Sequence, residues 1–260
     1  MNYLNSVKYL ISPAMATLCA VAIILLQLPK ANLQNRQTDK AEFIRQEASE
    51  KLRLSLLKHT PSFGFTNLIG DWAYLNSIQY FGDGVARKQT GYSLCPEYFE
   101  IIVDRNPKLV SAYFTIAPAT SLFAGRPDRS VALIEQGLQS ISPTTAPKAY
   151  LLWFYKGVDE MLFLGDYKAA RHSYEMAAQW ASIFPDESSQ TVATRAREIV
   201  RFLAKNPNSV QARIGAWATI LSNSQDEATL KLVVNNIRKL GGEIIINSDG
   251  SLQIKSPIDK

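Results

Sequence analysis

Two histidines and two cysteines are the residues of this chain best equipped for nucleophilic or metal chemistry, and their spacing argues against both. His59 and His172 fall on different segments, and His172 is expected on the exposed side of its helix. Cys19 and Cys95 are too few to define a disulfide framework and have no Cys or His neighbours at ligand spacing. The sequence contains no Gly-x-Ser-x-Gly elbow and no phosphate-cradling glycine loop. The carboxylate pairs Asp159-Glu160 and Asp186-Glu187 are adjacent in sequence. Adjacent positions do not share a helical face, so both pairs read as solubilising charge. No catalytic residue, cofactor or metal is therefore expected.

What remains is binding chemistry. Asn67 and Asp71 stand four residues apart in an otherwise apolar stretch, with Trp72 beside them. On a helix they share a face and either line a groove, bonding a peptide backbone, or form a structural polar pair that fixes helix register. Residues 84–94 form a polar insert carrying Arg87 and Lys88, long for a helix–helix connection, and read either as a docking loop or as surface variation. Arg197, Arg201 and Lys205 recur every four residues as a basic stripe. That stripe would meet an acidic partner or lipid headgroups, or be a solvated face relieved by Glu198. These eight residues are the partner-binding candidates. The net charge is only +5 and no nucleic-acid module accompanies the basic stripe, so nucleic acid is not an expected partner.

The elements that must position these residues are predicted to be helical. Residues 39–58 place Phe43, Ala48, Leu52, Leu56 and Leu57 at helical spacing. Three pairs follow: 66–81 with a helix from Pro96 to 105, then 109–124 with 128–140, then 148–164 with 167–183. Their turn glycines, Gly82, Gly125 and Gly165, and terminating prolines, Pro107, Pro143 and Pro185, recur at 35–45-residue intervals, as in a helical solenoid. In the last pair Ala170, Tyr174 and Ala177 share one face, with residues small enough for close helix approach. Residues 188–206 and 209–222 extend the helical region as a cap. A further helix opens on a capping box, Ser224 with Glu227, and closes at Gly241-Gly242. The tail changes period: 243–247 and 252–255 flank Asp249-Gly250, a hairpin signal.

At the other end, residues 9–29 are 21 positions without a formal charge. At about 1.5 Å per residue such a helix crosses a hydrocarbon core of roughly 30 Å. No small-x-small cleavage site follows, so an uncleaved single-pass membrane anchor is expected ahead of a signal peptide, and the side of the membrane is left open. The expected organisation is a short amino-terminal segment (1–8), a transmembrane helix (9–29), a juxtamembrane helix or linker (30–60), helical repeats (61–187), a helical cap (188–242) and a β-hairpin tail (243–260).

The stretch Leu164-Gly165-Asp166-Tyr167-Lys168-Ala169-Ala170, with Tyr174 and Ala177, resembles the second half of a tetratricopeptide repeat. Asn106-Pro107 resembles the proline that closes such repeats. The likeness covers about residues 65–185, is good for one repeat and weak for two others, and departs from the pattern in two respects: Trp153 and Gly157 each stand one residue early, and the first pair carries the insert at 84–94. Residues 61–72, with Gln79-Tyr80-Phe81-Gly82-Asp83, are similar to membrane-anchored repeat proteins of cyanobacteria and related bacteria. The resemblance implies a mainly α, tetratricopeptide-like solenoid. It implies a non-catalytic adaptor or assembly factor that holds a protein partner in its groove, the partner being a membrane complex, by analogy a photosynthetic (thylakoid) one. A permanent accessory subunit whose transmembrane helix packs on the complex, and a divergent enzyme, are the alternatives.

Overall fold

The computed structural model describes residues 40–205, 210–224, 226–246 and 252–257, together with Thr17 and Val21. The chain divides into two compact units, Met1–Gln46 and Glu47–Lys260. In the first, the described residues open helix α1 (Lys40–His59), where Glu42 pairs with Arg45 at 2.7 Å.

The second unit is mainly helical. It continues α1 and adds α2 (Thr66–Gly82), α3 (Gly84–Thr90), α4 (Cys95–Arg105), α5 (Val110–Pro118), α6 (Pro127–Leu138), α7 (Tyr150–Asp159), α8 (Tyr167–Ala181), α9 (Glu187–Leu203), α10 (Val210–Asn223) and α11 (Glu227–Lys239). One small sheet follows, β1 (Glu243–Ile246) antiparallel to β2 (Leu252–Lys255), with Ile244 opposite Ile254. The two β-prone runs thus pair, and Asp249-Gly250 between them lie outside the described residues. Ile244 and Ile254 pack on the cluster formed by α10 and α11.

Helix α8 shows why the apolar spacing works. Ala170, Tyr174 and Ala177 are all fully buried, and α8 packs closely on both α7 and α9. Ala196 of α9 meets the alanine face, and Gly157 of α7 leaves room for the Tyr174 ring; a Cβ at 157 would stand only 3.0 Å from it. Asp166 caps α8 by accepting from the Ala169 N–H at 2.9 Å. Both α5 and α7 end in a π-helical turn, Ala119–Phe123 and Glu160–Leu164, before a left-handed glycine, Gly125 (φ 64°) or Gly165 (φ 71°). The two turns close alike: the Arg126 N–H reaches the Thr120 carbonyl, and the Asp166 N–H the Glu160 carbonyl, each at 2.9 Å.

Three expectations are corrected. The insert at 84–94 is not a loop but contains α3, started by Asp83, whose carboxylate accepts from the Ala86 N–H. The last helix is capped by Asp226, not Ser224. The Asp226 carboxylate takes the Thr229 N–H at 2.8 Å, and the Ser224 hydroxyl donates back to the Ile220 carbonyl. The single-pass membrane localisation is not upheld: among the described residues no helix is long and apolar enough to cross a membrane. Residues 9–29, apart from Thr17 and Val21, lie outside the described residues.

Candidate functional site

Helices α2, α5 and α7 each carry half-buried aromatic side chains, Tyr74, Phe114, and Phe154 with Tyr155. The Thr115 hydroxyl of α5 donates to the Tyr74 hydroxyl of α2 at 3.4 Å. Phe114 of α5 meets Tyr155 of α7 edge to face, with ring centroids 6.2 Å apart. Next to Tyr155 a cavity of about 230 Å³ opens between the end of α5 and α7. Pro118, Leu122, Phe154, Tyr155 and Val158 wall it, and Ser121 and Asp159 are its polar members. Aromatic rings half in and half out of water supply large contact area at low cost in side-chain freedom, which is what partner anchors require.

Below this row lies a buried charge cluster that sequence reasoning took for solubilising charge. Asp159 and Glu160 are only 4% and 3% exposed, and Lys156 only 5%. The Lys156 ammonium donates to Glu160 at 2.6 Å, and the Ser173 hydroxyl of α8 donates to the other Glu160 oxygen, also at 2.6 Å. Glu135 of α6, itself largely exposed, stands 3.8 Å from the same ammonium. Among the described residues no cation pairs with Asp159. Burial, above all, pushes its carboxyl up to about 7; Ser130 and Ser121 nearby favour the ionised form, and the Glu160 charge opposes it. Each of those serine hydroxyls also has the Ala117 carbonyl within reach, at 3.4 and 3.3 Å. A hydroxyl carries one proton, so neither serves both acceptors at once. The signal that would have revealed the cluster is the setting: Lys156 and Glu160 are an i, i+4 pair inside a stretch apolar on every side, from Tyr150 to Leu164.

Seven of the eight candidates fall on three helices, Lys205 lies just past the end of the third, and they are not gathered into one site. On α2, Asp71 accepts from the Asn106 side-chain amide at 2.8 Å, beside a crossing so tight that a Cβ on Gly70 would sit 2.7 Å from Asn106. Asp71 is thus bonded to Asn106 and not to Asn67, which is exposed. Trp72 is 38% exposed, with the Arg53 guanidinium 4.5 Å above its ring. On α3, Arg87 as a docking residue is corrected. It is 7% exposed, pairs with Glu47 at 3.2 Å, donates to the Gly91 carbonyl at 2.8 Å and lies 3.6 Å over Tyr80. Its neighbour Lys88 is exposed. On α9, Arg197 and Arg201 line a shallow groove against Glu175 and Gln179 of α8, and the Arg197 guanidinium donates to Ser182 at 2.5 Å. Lys205 is exposed just beyond α9.

Other reactive groups are spoken for. Burial pushes the Cys95 thiol up to about 12, so it carries no thiolate near neutrality. A larger cavity of about 670 Å³ lies between the turns at Gly125 and Gly165 and helices α10 and α11. Its Arg126 is held by Asp128, and its Arg213 lies over Gly165 and donates to the Phe163 carbonyl at 3.5 Å. Among the described residues no group of His, Cys, Asp and Glu could hold a metal ion. No family model, no curated protein and no solved structure matches this chain.

Proposed function

We propose that this protein is a non-catalytic binding module of the tetratricopeptide-like kind, which holds a segment of a protein partner along the row formed by α2, α5 and α7. The observation that carries the reading is that row: Tyr74, Phe114, Phe154 and Tyr155, half-buried and linked by the Thr115–Tyr74 and Phe114–Tyr155 contacts, with a cavity at its end. Buried clusters that include a partly exposed aromatic floor are where interfaces concentrate their binding energy.

The helical geometry supports the repeat assignment at the point where the sequence departs from the pattern. A π-helical turn holds one residue more than an α-helical path over the same length. The turn at Glu160–Leu164 lies between Gly157 and Gly165, so it places Trp153 and Gly157 one residue earlier than an uninterrupted helix would. The hairpin before it carries its own π turn, Ala119–Phe123.

The test is a photocrosslink. A benzophenone side chain placed at Tyr155 should yield discrete protein adducts in extracts of the source cells. The same group at Lys168, exposed on α8, should not. Equal adducts at both positions, or none at Tyr155, would refute groove binding.

A further inference from the structure

Two buried carboxylates, Asp159 and Glu160, share one buried cation. Lys156 is committed to Glu160 at 2.6 Å, and no ion pair reaches Asp159 among the described residues. A buried carboxylate without a counter-charge is costly and is normally neutralised by a proton or by a cation. The position of Asp159 decides where a cation would come from. Unlike Glu160, which is bonded to Lys156 and Ser173, Asp159 borders the cavity beside Tyr155.

The cavity has the chemistry of a lysine receptor. Its walls, Pro118, Leu122, Phe154, Tyr155 and Val158, are apolar and suit a chain of methylenes. The residues that offer acceptors, Asp159, Ser121 and Ala117, all border it, and the Ser121 hydroxyl lies 3.3 Å from the Ala117 carbonyl. An ammonium has three donors on a compact centre and can address all three acceptors. A guanidinium presents a planar fork that calls for a bidentate carboxylate face. Aromatic rings at Phe154 and Tyr155 add an attraction for a desolvated cation.

We propose that this cavity receives the ammonium of a lysine side chain carried by the protein segment that lies along the α2–α5–α7 row, with Asp159 as its counter-ion. The proposal rests on the groove reading given above and names the residue that the groove selects. The lysine supplies the second positive charge for two buried carboxylates, so partners lacking a lysine at that point leave Asp159 to be neutralised by a proton.

The groups facing Asp159 are Ser121 from the π turn after α5, Ser130 from α6, Glu160 from the π turn after α7, and Tyr174 from α8; Lys156 and Ser173 bond Glu160, and Glu135 of α6 reaches Lys156. Asp159 carries the titration near neutrality, with its carboxyl pushed up to about 7. An ammonium binds the ionised form, so affinity should rise about tenfold between pH 6 and pH 8.

The test uses n-butylammonium as a lysine side-chain probe and n-butanol as its neutral counterpart, titrated into the full chain and followed by amide NMR. Butylammonium should produce saturable shifts at Ser121, Val158 and Asp159. Asp159→Asn should weaken it at least tenfold, and butanol should bind no better to the wild type than to that variant. Val158→Phe, which keeps Asp159 and fills the cavity, should also abolish the shifts. Absence of saturable shifts, equal binding of butanol, or an Asp159→Asn variant that binds as well as the wild type would each overturn the proposal. Adducts at Tyr155 without ammonium binding would leave groove binding standing and defeat the lysine assignment. Ammonium binding without adducts would defeat the groove alone.

Discussion

Replacing Asp159 by Asn should change how the stability of this protein depends on pH, and the structure gives the size of the change. Asn keeps the shape and the acceptor facing Ser121 and Ser130 but cannot ionise. In the wild type, burial raises the Asp159 carboxyl from an ordinary 3.8 to about 7. A raised value means that the folded state holds a proton which the unfolded chain has already released. The stability contributed by that proton is fully present below about pH 4 and is lost as pH rises through about 7. Converted at about 1.4 kcal/mol per pH unit, the total loss is about 4 kcal/mol, complete by about pH 8. Urea unfolding of both proteins at intervals from pH 4 to pH 9 measures it. Subtracting the Asp159→Asn curve cancels the other titrating groups, so the difference should fall by about 4 kcal/mol and then level off. Parallel curves across that range would refute the argument that Asp159 is buried without a counter-charge.

Other substitutions test neighbouring parts of the same account. Lys156→Met strands Glu160 beside Ser173 and should cost about 3–5 kcal/mol in urea unfolding, most of it recovered when Glu160→Leu is added. A double variant no more stable than the single one would show that the pair is not coupled. Arg87→Ala removes the Glu47 pair, the Gly91 carbonyl bond and the Tyr80 contact, and should lower stability by about 3 kcal/mol. Lys88→Glu on the exposed side should stay within about 0.5 kcal/mol, as thermal unfolding would register. Gly165→Ala forces a side chain into φ 71° and onto the Arg213 guanidinium, 2.4 Å from the new Cβ. A loss of about 1–3 kcal/mol is expected in chemical denaturation.

Much of the helical plan was legible in the sequence because it rests on local rules. The spacing of Ala170, Tyr174 and Ala177, the turn glycines Gly125 and Gly165 and the two β-prone runs of the tail are each decided within a few residues of chain, and the structure places them as expected, whereas Gly82 ends a helix. Where two local signals competed, the choice went the other way. Asp226 stands directly before the helix and takes the capping role that Ser224 would have filled from two residues further back. The polar insert misled because polarity was read as loop, although Asp83 offers a helix start and Arg87 finds three partners inside the fold.

The sequence by itself determined most of the helices and their order, though not α3, and it carries no recognised catalytic motif, since periodicity and capping act over one or two turns. Only the tertiary structure decided which charges are buried and which aromatics adjoin. Asp159, Glu160 and Lys156 look like surface charge on a single helix, and become interior groups because α6 and α8 close over α7. Phe114 and Tyr155 stand about 40 residues apart in the chain, as do Tyr74 and Thr115, and each pair meets only in the folded chain. Burial and adjacency depend on contacts between distant segments, and no local pattern encodes the free energy of a carboxylate that a neighbouring helix removes from water.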